Sequence, residues 1–263
     1  KPYVRSLELP LLAKDVAVAR IIEREHDKRP IYIAMTVPDH MGLERRLMLR
    51  GVAYQLVDAA PSGRERVDAD AVRAALQRFK YRGVIRNGRR DDSVYKDDNA
   101  RRILQNYAAA ALRAGQEFRT AERWAEASEV TAFAALLAPD IPEVHYARAV
   151  NYFAQDSLTQ AERELRWIVE AGDADQQILR LLGRVLEAEG RSDEGEAAYR
   201  QAVDLAPNNF DAARDLFSFY WKTRGDHDRA LGVLDAWLAK HPDDARVREA
   251  RRYYADSLAT ARK

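Results

Sequence analysis

The sequence predicts an α+β, mostly helical protein: a small α/β module over residues 1–98, followed by an α–α superhelix of stacked hairpins over 99–263. Three observations carry this. Helix-like and strand-like segments alternate up to about residue 98, whereas everything after it reads as helix. In the second part small side chains, bulky side chains and prolines return at one fixed interval. A chain of 263 residues with 47% hydrophobic and 32% charged residues has a globular composition and enough length for two cores.

The module is read in chain order. "LLAKDVAVARIIEREHD" (11–27) places Leu12, Val16, Ala19 and Ile22 on one stripe, which makes a helix that Pro30 closes. "IYIAMTV" (31–37) is a β-rich run. Asp39 then suits the N-cap of a short helix over 41–50, with Gly51 at its C-terminal end. "VAYQLVD" (52–58) is the next strand, so the opening reads strand, helix, strand. Asp68 or Asp70 caps a helix over 71–79, and "YRGVIRNG" supplies a third strand with an Asn87-Gly88 turn. Two or three short strands are marginal alone and require helices as cover.

The second part is built from a repeat. In "ILRLLGRVLEAEGRSDEGEAAYRQAVDLAPN" (178–208), Leu182-Gly183, Gly190, Tyr199, Ala202 and Pro207 stand at the spacings of a tetratricopeptide repeat, a helix hairpin of about 34 residues. Gly225, Ala230, Leu234, Trp237 and Pro242 repeat the pattern downstream; Ala149, Tyr152, Asp156, Ala161 and Leu165 repeat it upstream. A looser copy spans about 104–139, which gives about four hairpins. "DARVREARRYYADSLATAR" (244–262) reads as a capping helix with a polar face. Small residues let paired helices approach, bulky ones fill the layer between hairpins, and prolines end each second helix.

Composition excludes several functions. The 43 basic and 42 acidic residues leave no basic excess for nucleic acid. Without cysteine there is no disulfide, thiolate nucleophile or Cys-based zinc site. No apolar run approaches the ~20 residues of a membrane span. The chain starts at Lys1 without a signal-peptide pattern, and is expected to be cut from a longer polypeptide.

Catalytic residues, a cofactor site and a metal site are all expected to be absent. His26, His40, His145, His227 and His241 have no metal-ligand spacing and read as surface histidines. Asp91, Asp92, Asp97 and Asp98 share their connector with Arg89, Arg90 and Lys96, and read as partners and caps rather than cation ligands. The amides near Met41 and Gly42 would begin a helix after a strand, a place where an anion binds, yet no glycine-rich phosphate motif stands there. The informative surface is the groove lined by the first helix of each repeat. Counting from Ala149, Gly183 and Ser218 places Tyr146, Val150, Phe153, Arg180, Arg184, Glu187, Asp215, Phe219 and Lys222 on it. Aromatic residues mixed with both charge signs suit a protein or extended peptide. The alternative is a groove filled by the chain's own α/β layer or last helix.

Three segments add a resemblance. "KRPIYIAMTVPD" (28–39), "GLERRLMLRGVAYQLV" (42–57) and "VYKDDNARRILQNY" (94–107) resemble the region after the last membrane span in a bacterial family similar to the protein O-mannosyltransferases. Those are multi-span GT-C glycosyltransferases that use lipid-linked sugar donors. Ala59-Ala60-Pro61 and Met35 depart from the family pattern. The resemblance implies a non-catalytic extracytoplasmic domain that binds an acceptor or assembly partner, since the family's catalytic acids lie in membrane loops outside this chain. One alternative is a stand-alone tetratricopeptide scaffold in the cytoplasm. Another is an enzyme with its site at the strand ends around Thr36 to Gly42.

Overall fold

The computed structural model describes residues 13–37, 40, 42–58 and 66–261. The protein is mostly helical with a small sheet region near its N-terminus, and it divides into two compact units, Lys1–Ala147 and Arg148–Lys263.

In the first unit, α1 (Ala13–Glu25) buries Ala19 and Ile22 from the expected stripe. The sheet has four strands in the order β1-β3-β2-β4: β1 (Tyr32–Ala34), β2 (Leu47–Arg50), β3 (Ala53–Leu56) and β4 (Arg66–Asp68). β3 pairs antiparallel with β1 and β2, while β4 runs parallel to β2. This corrects the expected helix over 41–50. Only Glu44–Arg46 forms a 3-10 turn, and β2 follows directly. Leu47 and Leu49 are buried and Arg50 is exposed, an alternation too short to separate from a helical stripe by eye. Gly51 does adopt the left-handed conformation, at φ +71°, but as the turn between β2 and β3. A Cβ there would lie 3.2 Å from the Cβ of Ala75, so the helix above packs directly on this turn. The expected cap Asp39 lies outside the described residues, as does Met41.

That helix is α2 (Ala69–Arg78). Asp68 caps it by accepting from the Ala71 N–H at 3.0 Å and also pairs with Arg50 at 3.0 Å, joining β4 to β2. β5 (Ile85–Arg86) and β6 (Arg89–Arg90) form a hairpin through Asn87-Gly88, with φ of +53° and +73°. Then come α3 (Asp98–Thr120), capped by Asp97, and α4 (Trp124–Leu137). Arg90 donates to the carbonyls of Leu136 and Leu137 at 3.2 and 2.9 Å, satisfying the last turn of α4. One continuous core runs from Leu47, Leu49 and Tyr54 through Val72 and Leu76 to Leu104, Ala111, Phe118 and Val130. Strands of three and four residues have little area of their own, so the sheet uses α2 and α3 as its cover. Secondary structure therefore changes near residue 98, whereas the compact unit continues to Ala147.

Helix α5 (Pro142–Ala154) crosses the division. The second unit continues with α6 (Leu158–Ala171), α7 (Gln176–Ala188), α8 (Ser192–Leu205), α9 (Phe210–Ser218), α10 (His227–Lys240) and α11 (Ala245–Ala261). A π-helical segment, Phe219–Arg224, prolongs α9. Each hairpin turn is closed by a left-handed residue: Glu122, Asp156, Gly190 and Gly225. The residue after it then donates backward. Arg123, Ser157 and Arg191 reach the carbonyls of Phe118, Tyr152 and Leu186, each five residues back, at 2.8, 2.9 and 2.8 Å. Asp226 reaches six back, to Tyr220, at 3.0 Å. The last hairpin thus carries one extra residue after Tyr220, absorbed as a π turn.

Within α7 and α8, a Cβ on Gly183 would lie 2.8 Å from two ring carbons of Tyr199, which is 2% exposed. Gly183→Ala is expected to lose about 1–3 kcal/mol in urea unfolding through overpacking, although alanine is the better helix former by about 1 kcal/mol. Gly190→Ala meets open space and is expected to cost only the left-handed backbone, about 1–2 kcal/mol.

Acid sensitivity follows from the ion pairs of the second unit. Burial opposes ionisation of Glu162, but Arg166 and Arg191 donate to it at 2.6 and 2.8 Å and hold its pKa below the usual range. Hydrogen bonds from Arg251 lower Asp235 in the same sense. Both carboxylates are depressed in the folded state, so their contribution is present above the unfolded values near 4 and is lost as pH falls through the folded ones. Urea unfolding is expected to be flat from pH 7 to about 5 and to weaken below about 4.5, less steeply in Glu162→Gln.

Candidate functional site

The faces of α5, α7 and α9 that carry the groove positions are built by the repeat register. Tyr146 is half-buried and lies in the part of α5 that belongs to the first unit. Val150 and Phe153 are half-buried one and two turns later. The Arg184 guanidinium lies 4.9 Å over the Phe153 ring, linking α5 to α7 by a cation–π contact, while the rest of Arg184 is exposed. Arg180 pairs with Asp215 at 2.7 Å and Asp211 at 3.7 Å, linking α7 to α9. Glu187 accepts from the Tyr199 hydroxyl at 2.8 Å and from Thr223. Burial, and then the Glu187 carboxylate, push the Tyr199 phenol far up, so it stays a donor.

One position, Phe219, sits elsewhere than the groove count puts it. Phe219 is 1% exposed and packs with its ring 5.5 Å from Tyr199, inside the core. Asp215 is half-buried in its pair with Arg180. For Phe219 the cause is the π turn. The count steps 35 residues from Gly183 to Ser218, but the added residue comes only after Tyr220. Up to that point the true step is the regular one, so Arg214 and Ser218 stand in register with Arg180 and Arg184, and Phe219 stands with buried Val185. Lys222 is exposed in the π segment.

A further residue escaped the sequence reading. Asp175, Asn209 and Asp244 accept from the first amides of α7, α9 and α11, so α11 begins as another first helix would. That register puts Tyr253, 68% exposed, in line with Ser218 and Arg184. The signal was legible: Pro207-Asn208-Asn209 recurs as Pro242-Asp243-Asp244.

The other candidates resolve individually. The five histidines are all half-buried rather than open to solvent. His40 packs on Tyr54, His227 on Trp221 and His241 on Trp237, with ring centroids 5.0, 4.4 and 4.1 Å apart. His145 contacts the Pro139 carbonyl at 2.7 Å, and His26 contacts Asp27 at 3.0 Å. Asp91 pairs with Arg86 at 2.9 Å and accepts from Ser93; Asp92 pairs with Arg90 at 2.8 Å. Among the described residues no three His, Cys, Asp or Glu side chains converge to hold a metal. Near Gly42 the described backbone begins no helix longer than the three-residue 3-10 turn, so the alternative of an anion held at the start of a helix loses the helix it required. What the first-helix face offers is rings, a guanidinium stacked on one of them and neutralised acids, which suits non-covalent contact with a polypeptide.

Two tetratricopeptide-repeat family models match, over residues 146–210 and 186–252. The solved structure of MamA superposes with a TM-score of 0.50 at 18% identity, covering 68% of this chain and 92% of that one. MamA 41-end from Desulfovibrio magneticus RS-1 gives 0.47 at 19% identity, covering 56% and 88%. YrrB, described as a TPR protein with an unusual peptide-binding site, gives 0.45 at 21% identity, covering 59% and 84%. No curated protein matches. The likeness to MamA is one of fold, and with the family matches and the recurrent hairpin turns it fixes the character of the second part: residues 146–252 carry tetratricopeptide repeats.

Proposed function

We propose that the chain is a non-catalytic interaction scaffold that binds an extended polypeptide along the first-helix face of its repeats. The observation that carries this reading is the register itself. Val150, Arg184, Ser218 and Tyr253 stand at one position of successive first helices, with the Phe153 ring under the Arg184 guanidinium, while the helix backbones bond within themselves. A partner is therefore read by side chains, with aromatic and arginine anchors of the kind that dominate interfaces. The acids beside them, Asp211, Asp215 and Glu187, already have donors, which leaves Arg184 to face an incoming carboxylate or ring.

A stand-alone scaffold is the reading favoured here, because the family matches fall on the repeats. A second reading, the extracytoplasmic region of a multi-span O-mannosyltransferase-like protein, rests on the three segments 28–39, 42–57 and 94–107 alone. No helix among the described residues is long and apolar enough to cross a membrane. Reading the coding sequence upstream of Lys1 for a series of spans separates the two.

Peptides selected from a random displayed library against the full chain test the binding face. Arg184→Ala and Tyr253→Ala are each expected to weaken the selected peptides about tenfold, with unfolding midpoints within a few degrees of the parent. Phe219→Ala is expected instead to lose about 3–5 kcal/mol of stability, as a core truncation. Selected peptides that bind the Arg184→Ala/Tyr253→Ala double variant unchanged would remove the proposed face.

A further inference from the structure

The first unit holds a cleft outside the repeats that match the family models. Helices α2 and α4 both lie against α3 and leave a furrow of about 220 Å³ between them. Leu76 and Val130, each 2% exposed, form its deep wall; Phe133, Leu136 and exposed Ala132 complete the apolar sides. The wall is pre-formed, since the Phe133 ring is held 4.9 Å from Tyr81, which in turn stands 6.3 Å from Tyr107. At the mouth Glu129 accepts from Arg73 at 2.6 Å and from Gln77, a brace from α4 to α2 that holds the two walls apart.

Size and charge together define the occupant. A cavity of ~150 Å³ holds one benzene, whereas pockets for whole cofactors and drug-sized ligands run to ~300–1,000 Å³. The space thus matches one aromatic ring with its linking carbon, the unit by which interface anchors dock. At the mouth Arg73 pairs with Glu129 at 2.6 Å; beside it, in a separate cluster, Arg123 holds Asp70 and Glu126 at 2.8 Å each, and these two carboxylates lie within electrostatic reach of Arg73. One negative charge is left over. We propose that this cleft receives a single aromatic side chain of a partner polypeptide that carries a lysine or arginine next to it.

The test titrates the full chain, followed by amide NMR, with three blocked dipeptides: acetyl-Phe-Lys-amide, acetyl-Phe-Glu-amide and acetyl-Ala-Lys-amide. Acetyl-Phe-Lys-amide is expected to saturate in the millimolar range with shifts confined to α2 and α4, and the Glu peptide to bind about fivefold more weakly, given what one exposed charge contributes. The Ala peptide is expected to leave those amides unmoved. Ala132→Trp fills the furrow and abolishes binding. Glu129→Gln, which keeps the brace as an amide, removes the preference for Lys over Glu and covers the case in which the filled variant does not fold. No saturable shift in α2 and α4, equal binding of the Lys and Glu peptides, or unchanged binding in Ala132→Trp would each overturn the proposal. So would phenethylamine binding tenfold more tightly than any of the peptides, which would assign the cleft to a small amine.

Discussion

Every hairpin of this protein depends on one backbone constraint, the left-handed residue that reverses the chain between its two helices. Glu122, Asp156, Gly190 and Gly225 occupy that conformation, and the residue after each donates back into the helix just ended. The reversal sets the angle at which the second helix returns, and so decides which side chains meet. With that angle fixed, helices whose contact position is Gly183 against Tyr199 can approach until no methyl group fits between them. The closeness is a consequence of the turn and the glycine acting together. Neither produces it alone.

The same constraint explains the single irregularity. Once the turn and the second helix of the last repeat are fixed by Gly225, Asp226 and Ala230, one surplus residue has nowhere to go except into the end of α9. It becomes a π turn, which keeps Phe219 in the core beside Tyr199 and presents Lys222 outward. An insertion one turn earlier would have rotated the face of α9 by about 100° and removed Ser218 from the line of Arg184 and Tyr253.

The first unit solves a different problem. Its strands are three or four residues long and bury few side chains each, so Leu47, Leu49 and Tyr54 find their partners on α2 and α3. α3 therefore serves two masters, as cover for the sheet and as first helix of the earliest hairpin. Its 23 residues, the longest helix described, give it room for both. Polar groups then pin the pieces: Asp68 joins β2 to the start of α2, and Arg90 joins the β5–β6 turn to the end of α4. Because α2 and α4 both pack on α3 and meet each other through the brace of Arg73 and Gln77 to Glu129, a furrow between them is left over.

What the amino-acid sequence by itself determined is whatever depends on neighbours along the chain: the hairpin period, the second helices, the Asn87-Gly88 turn, and an aspartate cap for α2 and α3, narrowed to Asp68 or Asp70 and to Asp97 or Asp98. These are set within a few residues, so spacing and residue type suffice. Tertiary structure decided the rest. Leu47–Arg50 became a strand because β3 and β4 supply pairing partners from 3 to 18 positions away, which no local pattern records. Phe219 went inside because a surplus residue is placed by the packing of α9 and α10, and a one-residue ambiguity in register turns a groove position into a core one. Tyr253 is different: the recurrence of Pro207-Asn208-Asn209 as Pro242-Asp243-Asp244 puts it in line with Arg184 within the sequence, and packing decided only that the side chain stays 68% exposed.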